Sequence, residues 1–568
     1  MDRFGRQFWR RLWRLIKPYW TSAAKRQGLI MLAIIIVLGG GTIALQAYFT
    51  YVNRDLGNAL MAKNAHAFYR VILIAFVWIM VMVPVSAYQG WLTGRLTIVW
   101  REWLTNRFIA MGFQNRAFYR MIEDNSVDNP DQRISEDLNS FAGGAINYFL
   151  TTLQAIVTTI AFFGILWSLS HFLSIALLFY AAAGSYLSVV VGRRLVGINF
   201  QQQRYEADFR YGLVHMRNNV EPIFMYGGEA QETGQLSSRF AKLAKNFNLL
   251  ILWQRHLELL TGSYSNLIAV LPFFLLAGAY FAGKLQFGQL LQASNAFGTL
   301  SGSLSLIVNN FEAFAGYAAV VNRLATFADA CEATPAPGSE GKAGIETVED
   351  DLIEFQHLTL TTPDQSKTLI TDMSLTVSKL EPLLIGGASG IGKTSLLRAI
   401  AGIWQRGQGR VIRQPLTDVM FLPQKPYMIL GSLRDQLRYP RAPHATDEEL
   451  REMLAVVNLA DLPDRLGGLS AELNWPDVLS MGELQRLAFA RLLLNRPHYA
   501  FLDEATSALD PENEALLYEC LIATDINFLS VGHRPSLLKF HRNALLFTNS
   551  HEWTLSPSPE FVASQPAV

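Results

Sequence analysis

The chain has 568 residues, half of them apolar and only 17 % charged, with a mean hydropathy of +0.18 and a net charge of +1. Soluble domains carry about 25 % charged residues, so a disordered chain, a nucleic-acid binder driven by net charge and an ordinary soluble enzyme are excluded. The length fits two to four domains. The near-neutral total hides two unlike parts: residues 1–330 hold 28 Lys/Arg against 17 Asp/Glu, and residues 331–568 hold 20 against 30. Cys331 and Cys520 are too few and too far apart for a disulfide framework or a cysteine metal site.

The chain opens on Arg3, Arg6, Arg10, Arg11, Arg14 and Lys17 interleaved with Trp9, Trp13, Tyr19 and Trp20. That mixture predicts a helix over residues 1–26 lying in a membrane interface. The basic stretch is long and no small-residue cleavage site follows it, so a cleavable signal is not expected. Five stretches then lack Asp, Glu, Lys and Arg: 27–53, 71–94, 138–192, 259–283 and 285–311. About 20 apolar residues cross a bilayer. Four runs fit one crossing each, and the third is long enough for two, with Ser168-Leu169-Ser170-His171 as its turn. Residues 27–330 therefore read as six spans. The basic N-terminus and the few cations in the alternate loops predict that both termini face the cytoplasm.

The connections 95–137 and 193–258 are too long for structureless loops and poor in Gly and Pro. They predict membrane helices running on beyond the bilayer, joined by turns at Pro130 and near Gly227-Gly228. Pro84 and Pro272 lie inside apolar runs and predict kinks. The sixth run is polar. Asn295, Thr299 and Ser303 are four apart, as are Ser301, Ser305 and Asn309, with Asn310 and Glu312 beyond. Small polar residues glue membrane helices together. They also line wet pathways, and the Asn and Glu residues exceed what packing needs. Glu206 follows the fourth span between Arg204 and Arg210. It reads either as a solvated ion-pair charge or as a carboxylate at the cytoplasmic mouth of a pathway with Asn295, Thr299, Ser303 and Asn310.

Residues 331–350, with Thr334-Pro335-Ala336-Pro337-Gly338, are a linker by composition. The domain after it, 351–568, carries Gly387-Ala388-Ser389-Gly390-Ile391-Gly392-Lys393-Thr394 between the apolar run Leu383–Ile385 and the helix-like Ser395–Ile400. In that strand–loop–helix setting the pattern is a phosphate-binding loop. Gly387, Ser389, Gly390, Gly392 and Ser395 frame backbone N–H groups around phosphate, Lys393 adds a cation, and Thr394 offers a hydroxyl to Mg²⁺. Tyr499–Leu502 delivers Asp503 and Glu504 at a strand end, Asp503 for Mg²⁺ through water and Glu504 for the attacking water. The expected ligands are ATP and Mg²⁺.

Leu479-Ser480-Met481-Gly482-Glu483-Leu484-Gln485-Arg486 resembles the signature of ATP-binding cassette (ABC) ATPases. Gln424 matches their Q-loop, Ser507–Asp510 the D-loop and His533 the switch histidine. The resemblance implies an α-helical, exporter-like membrane domain fused to an α/β P-loop ATPase. It also implies a homodimer in which Lys393 and Glu504 of one chain face Ser480, Gly482 and Glu483 of the other across ATP, with Gln424 also near Mg²⁺. Met481 replaces the first signature glycine, and Thr361-Thr362-Pro363 stand where an adenine-stacking aromatic is usual. Asn129–Ile134, Glu206–Arg210 and Trp475–Val478 narrow the resemblance to bacterial BacA/SbmA-like transporters with a fused ATPase, related to peroxisomal acyl-CoA transporters. It implies that Asn129–Ile134 docks on an ATPase domain. It further implies ATP-driven uptake of hydrophilic solutes such as peptides or cobalamin-like compounds through the bacterial inner membrane, among lipids and without nucleic acid. An exporter or acyl-chain translocator of the same fold, and a membrane-anchored regulatory ATPase, are the competing functions.

Overall fold

The computed structural model describes residues 5–124, 126–305, 311–332, 344–362, 366–379, 381–548 and 552–558. The chain forms two compact units, Met1–Ala333 and Thr334–Val568. The first is helical: α1 (Arg6–Thr21), α2 (Lys25–Met61), α3 (Ala65–Phe113), α4 (Leu138–Leu169), α5 (His171–Asn218), α6 (Glu229–Phe281), α7 (Phe287–Leu304) and α8 (Phe311–Glu332). The long charge-free run does split in two. Ser170 is the sole residue between α4 and α5, and its hydroxyl accepts from the Leu173 amide at 3.2 Å, capping α5. At 1.5 Å per residue the 53 residues of α6 far exceed the roughly 30 Å hydrocarbon core. The membrane helices therefore run on well past a bilayer, as their low Gly and Pro content predicts. α3 and α6 continue through Pro84 and Pro272 as single helices.

Four helical stretches among the described residues are long and apolar enough to cross a membrane: Lys25–Met61, Ala65–Glu123, Pro130–Leu169 and Glu229–Phe281. The other two expected spans fall on α5, whose apolar part His171–Gly184 is shorter, and on α7, diluted by its Ser, Thr, Gln and Asn. α3 shows how one helix serves two environments. Its early apolar residues, including Leu73, Phe76, Val77 and Met80, are exposed. From Leu92 onward every fourth residue is buried: Leu92, Leu96, Trp100, Leu104, Phe108 and Gly112. That stripe packs with Phe8, Leu15 and Tyr19 of α1 and Leu324 and Phe327 of α8. Each such side chain contributes about 1.5–3 kcal/mol when fully removed from water.

The opposite face of α1 leaves Trp9 and Trp13 exposed, while Arg11 donates to Asn322 at 2.9 Å and Arg14 pairs with Asp329 and Glu332. Beyond α3 the chain turns through Asn129, whose φ is +44°, into a short helix begun by Pro130. Arg133 and Asp137 are buried just after this turn, 3.1 Å apart, and Asp137 also receives Arg323 of α8 at 2.6 and 2.8 Å.

The second unit is α/β. Strands β1 (Glu346–Glu349), β2 (Ile353–Thr361), β3 (Thr368–Val377) and β5 (Gly407–Arg413) form a sheet ordered β1-β5-β2-β3. A six-stranded sheet holds β4 (Leu383–Gly387), β6 (Val419–Leu422), β7 (Tyr499–Asp503), β8 (Asn527–Val531), β9 (Asn543–Phe547) and β10 (Trp553–Pro557), ordered β10-β9-β4-β8-β7-β6. All its pairs are parallel except β9–β10. Its central strands are continuous buried runs, Leu383–Gly386 and Tyr499–Leu502, as a sheet covered on both faces requires.

Candidate functional site

The register of three parallel strands builds the site. Val531 of β8 lies opposite both Ile385 of β4 and Asp503 of β7. The loop after Ile385, the Asp503-Glu504 pair and the Gly532-His533 segment therefore leave the sheet at one edge, the carboxyl end where α/β sheets bind ligands. Gly387, Gly390 and Gly392 take φ values of +136°, +78° and +113°. A Cβ on Gly387 would sit 2.8 Å from the Phe547 carbonyl oxygen, and one on Gly392 would sit 2.9 Å from Leu369. The loop thus admits only glycine at both places for reasons of space as well as conformation. It ends on helix α9 (Lys393–Ile400), whose N-terminal N–H groups face the loop. Ser389 and Gly390 are exposed on the loop, and Ser395 is half-buried on the helix.

The Lys393 ammonium is folded back on the loop, donating to the Gly387 and Ala388 carbonyls at 2.8 and 2.9 Å. Burial lowers its pKa, and the neighbouring Glu504 and Asp503 work against that fall. Thr394 Oγ1 donates to Asp503 Oδ1 at 3.2 Å. Burial raises the Asp503 pKa, helped by the Glu504 charge and opposed by the Thr394 hydrogen bond. Glu504 follows with φ +49°, its N–H bonded to the Val531 carbonyl at 3.0 Å. Its two oxygens face two partners: Gln424 Nε2 donates at 2.9 Å and His533 Nε2 lies at 3.4 Å. A hydroxyl, a half-buried carboxylate and a carboxamide lie here, an oxygen-rich set that suits a hard divalent cation such as Mg²⁺.

Ser480 begins helix α10 (Met481–Asn495) with a reciprocal cap: its hydroxyl accepts from the Glu483 amide at 3.3 Å and Glu483 accepts from the Ser480 amide at 2.8 Å. Burial works to raise the Glu483 pKa, but Arg465 and the Ser480 donors together bring it below the ordinary value. A Cβ on Gly482 would meet the Ala508 carbonyl at 3.2 Å, whereas Met481 is 39 % exposed. The glycine that packing requires is kept, and the replaced one stands at an open position.

Two family profiles match the chain, ABC transporter transmembrane region 2 over residues 15–281 and ABC transporter over 370–507. An ABC transporter ATP-binding protein of Synechocystis sp. is 41 % identical over 93 % of this chain and 81 % of its own length. The chain belongs to the ABC transporters. ABC transporter D family member 2, chloroplastic, of Arabidopsis thaliana is 35 % identical over 94 % of this chain and 86 % of its own length. The lysosomal cobalamin transporter of Homo sapiens is 30 % identical over 97 % of both. A bacterial Atm1-family ABC exporter with ATP bound shares the fold at TM-score 0.75 and 17 % identity, covering 95 % of this chain and 97 % of that one. This ABC transporter therefore joins a helical membrane-spanning unit to an ATP-binding unit in one chain and couples ATP hydrolysis to transport.

Among the described residues no hydrogen bond or ion pair joins Glu206 to the candidates on α7. Glu206 is exposed and accepts from Gln202 at 3.2 Å. On α7, Asn295 is exposed, while the Thr299 and Ser303 hydroxyls bond back to the carbonyls four residues earlier at 3.0 and 3.1 Å. Ser301 of the neighbouring row is fully buried. Asn309 and Asn310 lie outside the described residues, as do Pro363 and the linker Thr334–Gly341.

Three ATPase-unit residues escaped the motif reading. Gln485, buried on α10, donates to the Gln424 carbonyl at 3.1 Å and to Ser507 Oγ at 3.2 Å, and accepts from the Ala508 amide at 3.0 Å. It lies inside the signature segment, so its place was visible there though its partners were not. Arg534 adjoins His533. Glu514, fully buried on helix α11 (Pro511–Ile522), carries no local signal at all.

Proposed function

We propose that this ABC transporter works as a homodimer in the bacterial inner membrane, with both termini cytoplasmic, and imports hydrophilic or amphipathic solutes of the peptide or cobalamin type. Two ATPase domains close head to tail. Lys393 leaves the Gly387 and Ala388 carbonyls for the ATP phosphates, and the loop N–H groups hold the remaining oxygens. Thr394, Asp503 and Gln424 would hold Mg²⁺, which supplies charge neutralisation on the phosphates when bound. Glu504, steadied by Gln424 and His533 on its two oxygens, orients the water in line with the terminal phosphate. Ser480, Gly482 and Glu483 complete the opposite site, and their capped helix N-terminus suits an anion.

One observation supports the solute class: the row Asn295, Thr299, Ser303 faces away from the helix core, whereas Ala293, Ala296, Phe297 and Leu300 of the same helix are buried. Asn295 is exposed and Thr299 and Ser303 are half-buried, and such a polar row on a membrane helix suits water or a polar cargo beside it. The cobalamin named for one relative is a solute of that kind. The basic, Trp-studded α1 supports an anchor in the cytoplasmic interface.

The test is transport in vesicles of the purified chain loaded with ATP on one face. Labelled cobalamin, a labelled basic peptide and a labelled acyl-CoA are offered separately, and ATPase stimulation and the side of accumulation are recorded. Movement of cobalamin or peptide toward the ATP-bearing side supports the reading. Stimulation by acyl-CoA alone, or movement away from the ATP side, defeats it. Cysteines at 295 and 299 should react with a water-soluble thiol reagent and one at 296 should not. Equal protection at all three would return the row to helix packing.

A further inference from the structure

The segment Ser507–Asp510 is held from outside by a network that no motif contains. Asp510 caps α11, accepting from the Asn513 amide at 2.8 Å, so the far end of the segment is fixed to that helix. Its interior is fixed by Arg534, which donates to the Ser507 and Leu509 carbonyls, both at 2.8 Å. Arg534 also pairs with Glu514 at 3.2 Å. The Glu514 side chain is 1 % exposed, and Thr506 donates to it at 3.0 Å. Arg534 directly follows His533, whose ring faces Glu504. One guanidinium thus bonds to two main-chain carbonyls of the loop while standing next in sequence to a residue of the hydrolytic pair. A planar, five-donor group can hold two carbonyls and a carboxylate in fixed register, which a lysine cannot.

We infer that Arg534 and Glu514 are positioning residues that convert a change at His533 into a displacement of Ser507–Leu509. The inference rests on the proposed function, in which His533 steadies Glu504 beside the terminal phosphate of ATP. When that phosphate is present, His533 and the main chain after it are held, and Arg534 holds the loop. When it is gone, the segment 532–534 relaxes, and Ser507 and Leu509 relax with it. Gly482 packs on the Ala508 carbonyl and Gln485 bonds the Ala508 amide. The same displacement therefore reaches the helix that serves the opposite ATP. The two sites are then linked within each chain by this guanidinium, with no separate relay required.

Amide hydrogen exchange of peptide 505–510 in the full-length protein tests this, with ADP or a non-hydrolysable ATP analogue bound. Charge-assisted bonds to buried groups are among the stronger ones, and their loss opens a segment locally. The wild-type loop should exchange at least about tenfold more slowly with the analogue than with ADP. In Arg534→Ala that ratio should fall below about two, with analogue affinity kept within about threefold. Arg534→Lys and Glu514→Gln should give intermediate ratios and carry the test if the alanine variant fails to fold. A wild-type ratio retained in Arg534→Ala and Arg534→Lys overturns the link, and so does a wild-type ratio near one. Failure of the wild-type protein to bind the analogue at all instead overturns the site reading beneath it.

Discussion

Glu504→Gln is the sharpest probe of the proposed ATP site, because Glu504 makes no hydrogen bond to the Lys393 ammonium that the loop carbonyls hold. Its two oxygens are spoken for by Gln424 Nε2 at 2.9 Å and His533 Nε2 at 3.4 Å. The amide has the same shape and keeps one acceptor. It can turn its oxygen to Gln424, so the local cost is at most about one neutral hydrogen bond, ~1 kcal/mol. Lys393 is held by the Gly387 and Ala388 carbonyls and not by Glu504, so the phosphate loop is untouched. On the proposed mechanism what is lost is the charge that orients and draws a proton from water, a contribution of about 10²–10⁴ in rate, or ~2.7–5.5 kcal/mol of barrier. Removing that charge also relieves one of the influences that raise the Asp503 pKa. Phosphate release from the reconstituted protein should therefore drop at least about 100-fold while a fluorescent ATP analogue binds within about threefold of wild type. Turnover above about a third of wild type would refute the role given to Glu504. A large loss of analogue binding would instead make it a nucleotide-holding residue.

Lys393→Ala should weaken ATP binding itself by at least about tenfold, since it removes a charge-assisted partner of the phosphates; equilibrium binding measures it, and unchanged affinity would contradict the loop assignment. Asp137→Asn takes the nearer carboxylate from Arg133, whose side chain is only 10 % exposed, leaving it the exposed Asp128 at 3.8 Å, and takes the same carboxylate from Arg323. Breaking a buried ionic cluster in this way costs about 3–5 kcal/mol, toward the low end here because Arg323 is 40 % exposed. Thermal unfolding in detergent should show the loss, and a change within about 0.5 kcal/mol would place the cluster outside the stable core. His541 is buried with its Nε2 2.8 Å from Ser530 Oγ, and burial pushes its pKa down to about 4 from 6.5. The unfolded chain binds a proton there before the folded one, so stability is full above pH 6.5 and falls by about 3 kcal/mol as pH drops toward 4. His541→Gln should flatten that part of a stability–pH curve, and an unaltered slope would dismiss the residue as its source.

The sequence alone determined that a helical membrane part is joined to an α/β ATP-binding part. Charge-free runs can only be membrane or core, and five of them in a basic half, one long enough for two crossings, point to the membrane. The glycine pattern before Lys393 is legible because the backbone conformation of the loop is set locally. Gly387 and Gly392 show why in their positive φ, whereas the contacts that also bar a Cβ there come from Phe547 and Leu369, far along the chain. Tertiary structure decided what depends on register and facing. Val531 lies opposite Ile385 and Asp503 only because β8 stands between β4 and β7, an order that the chain sequence β4, β7, β8 does not state. The four-residue spacing of Asn295, Thr299 and Ser303 was legible, but that Ser301 is buried beside them depends on which helices pack against α7. Glu514 was invisible in sequence. A lone carboxylate on an amphipathic helix normally meets water, and here Thr506, Arg534 and Ser536 enclose it, all from other elements. Local conformation and composition are written residue by residue, whereas partners across a fold are set by burial, where a charge is tolerated only if distant segments arrive to satisfy it.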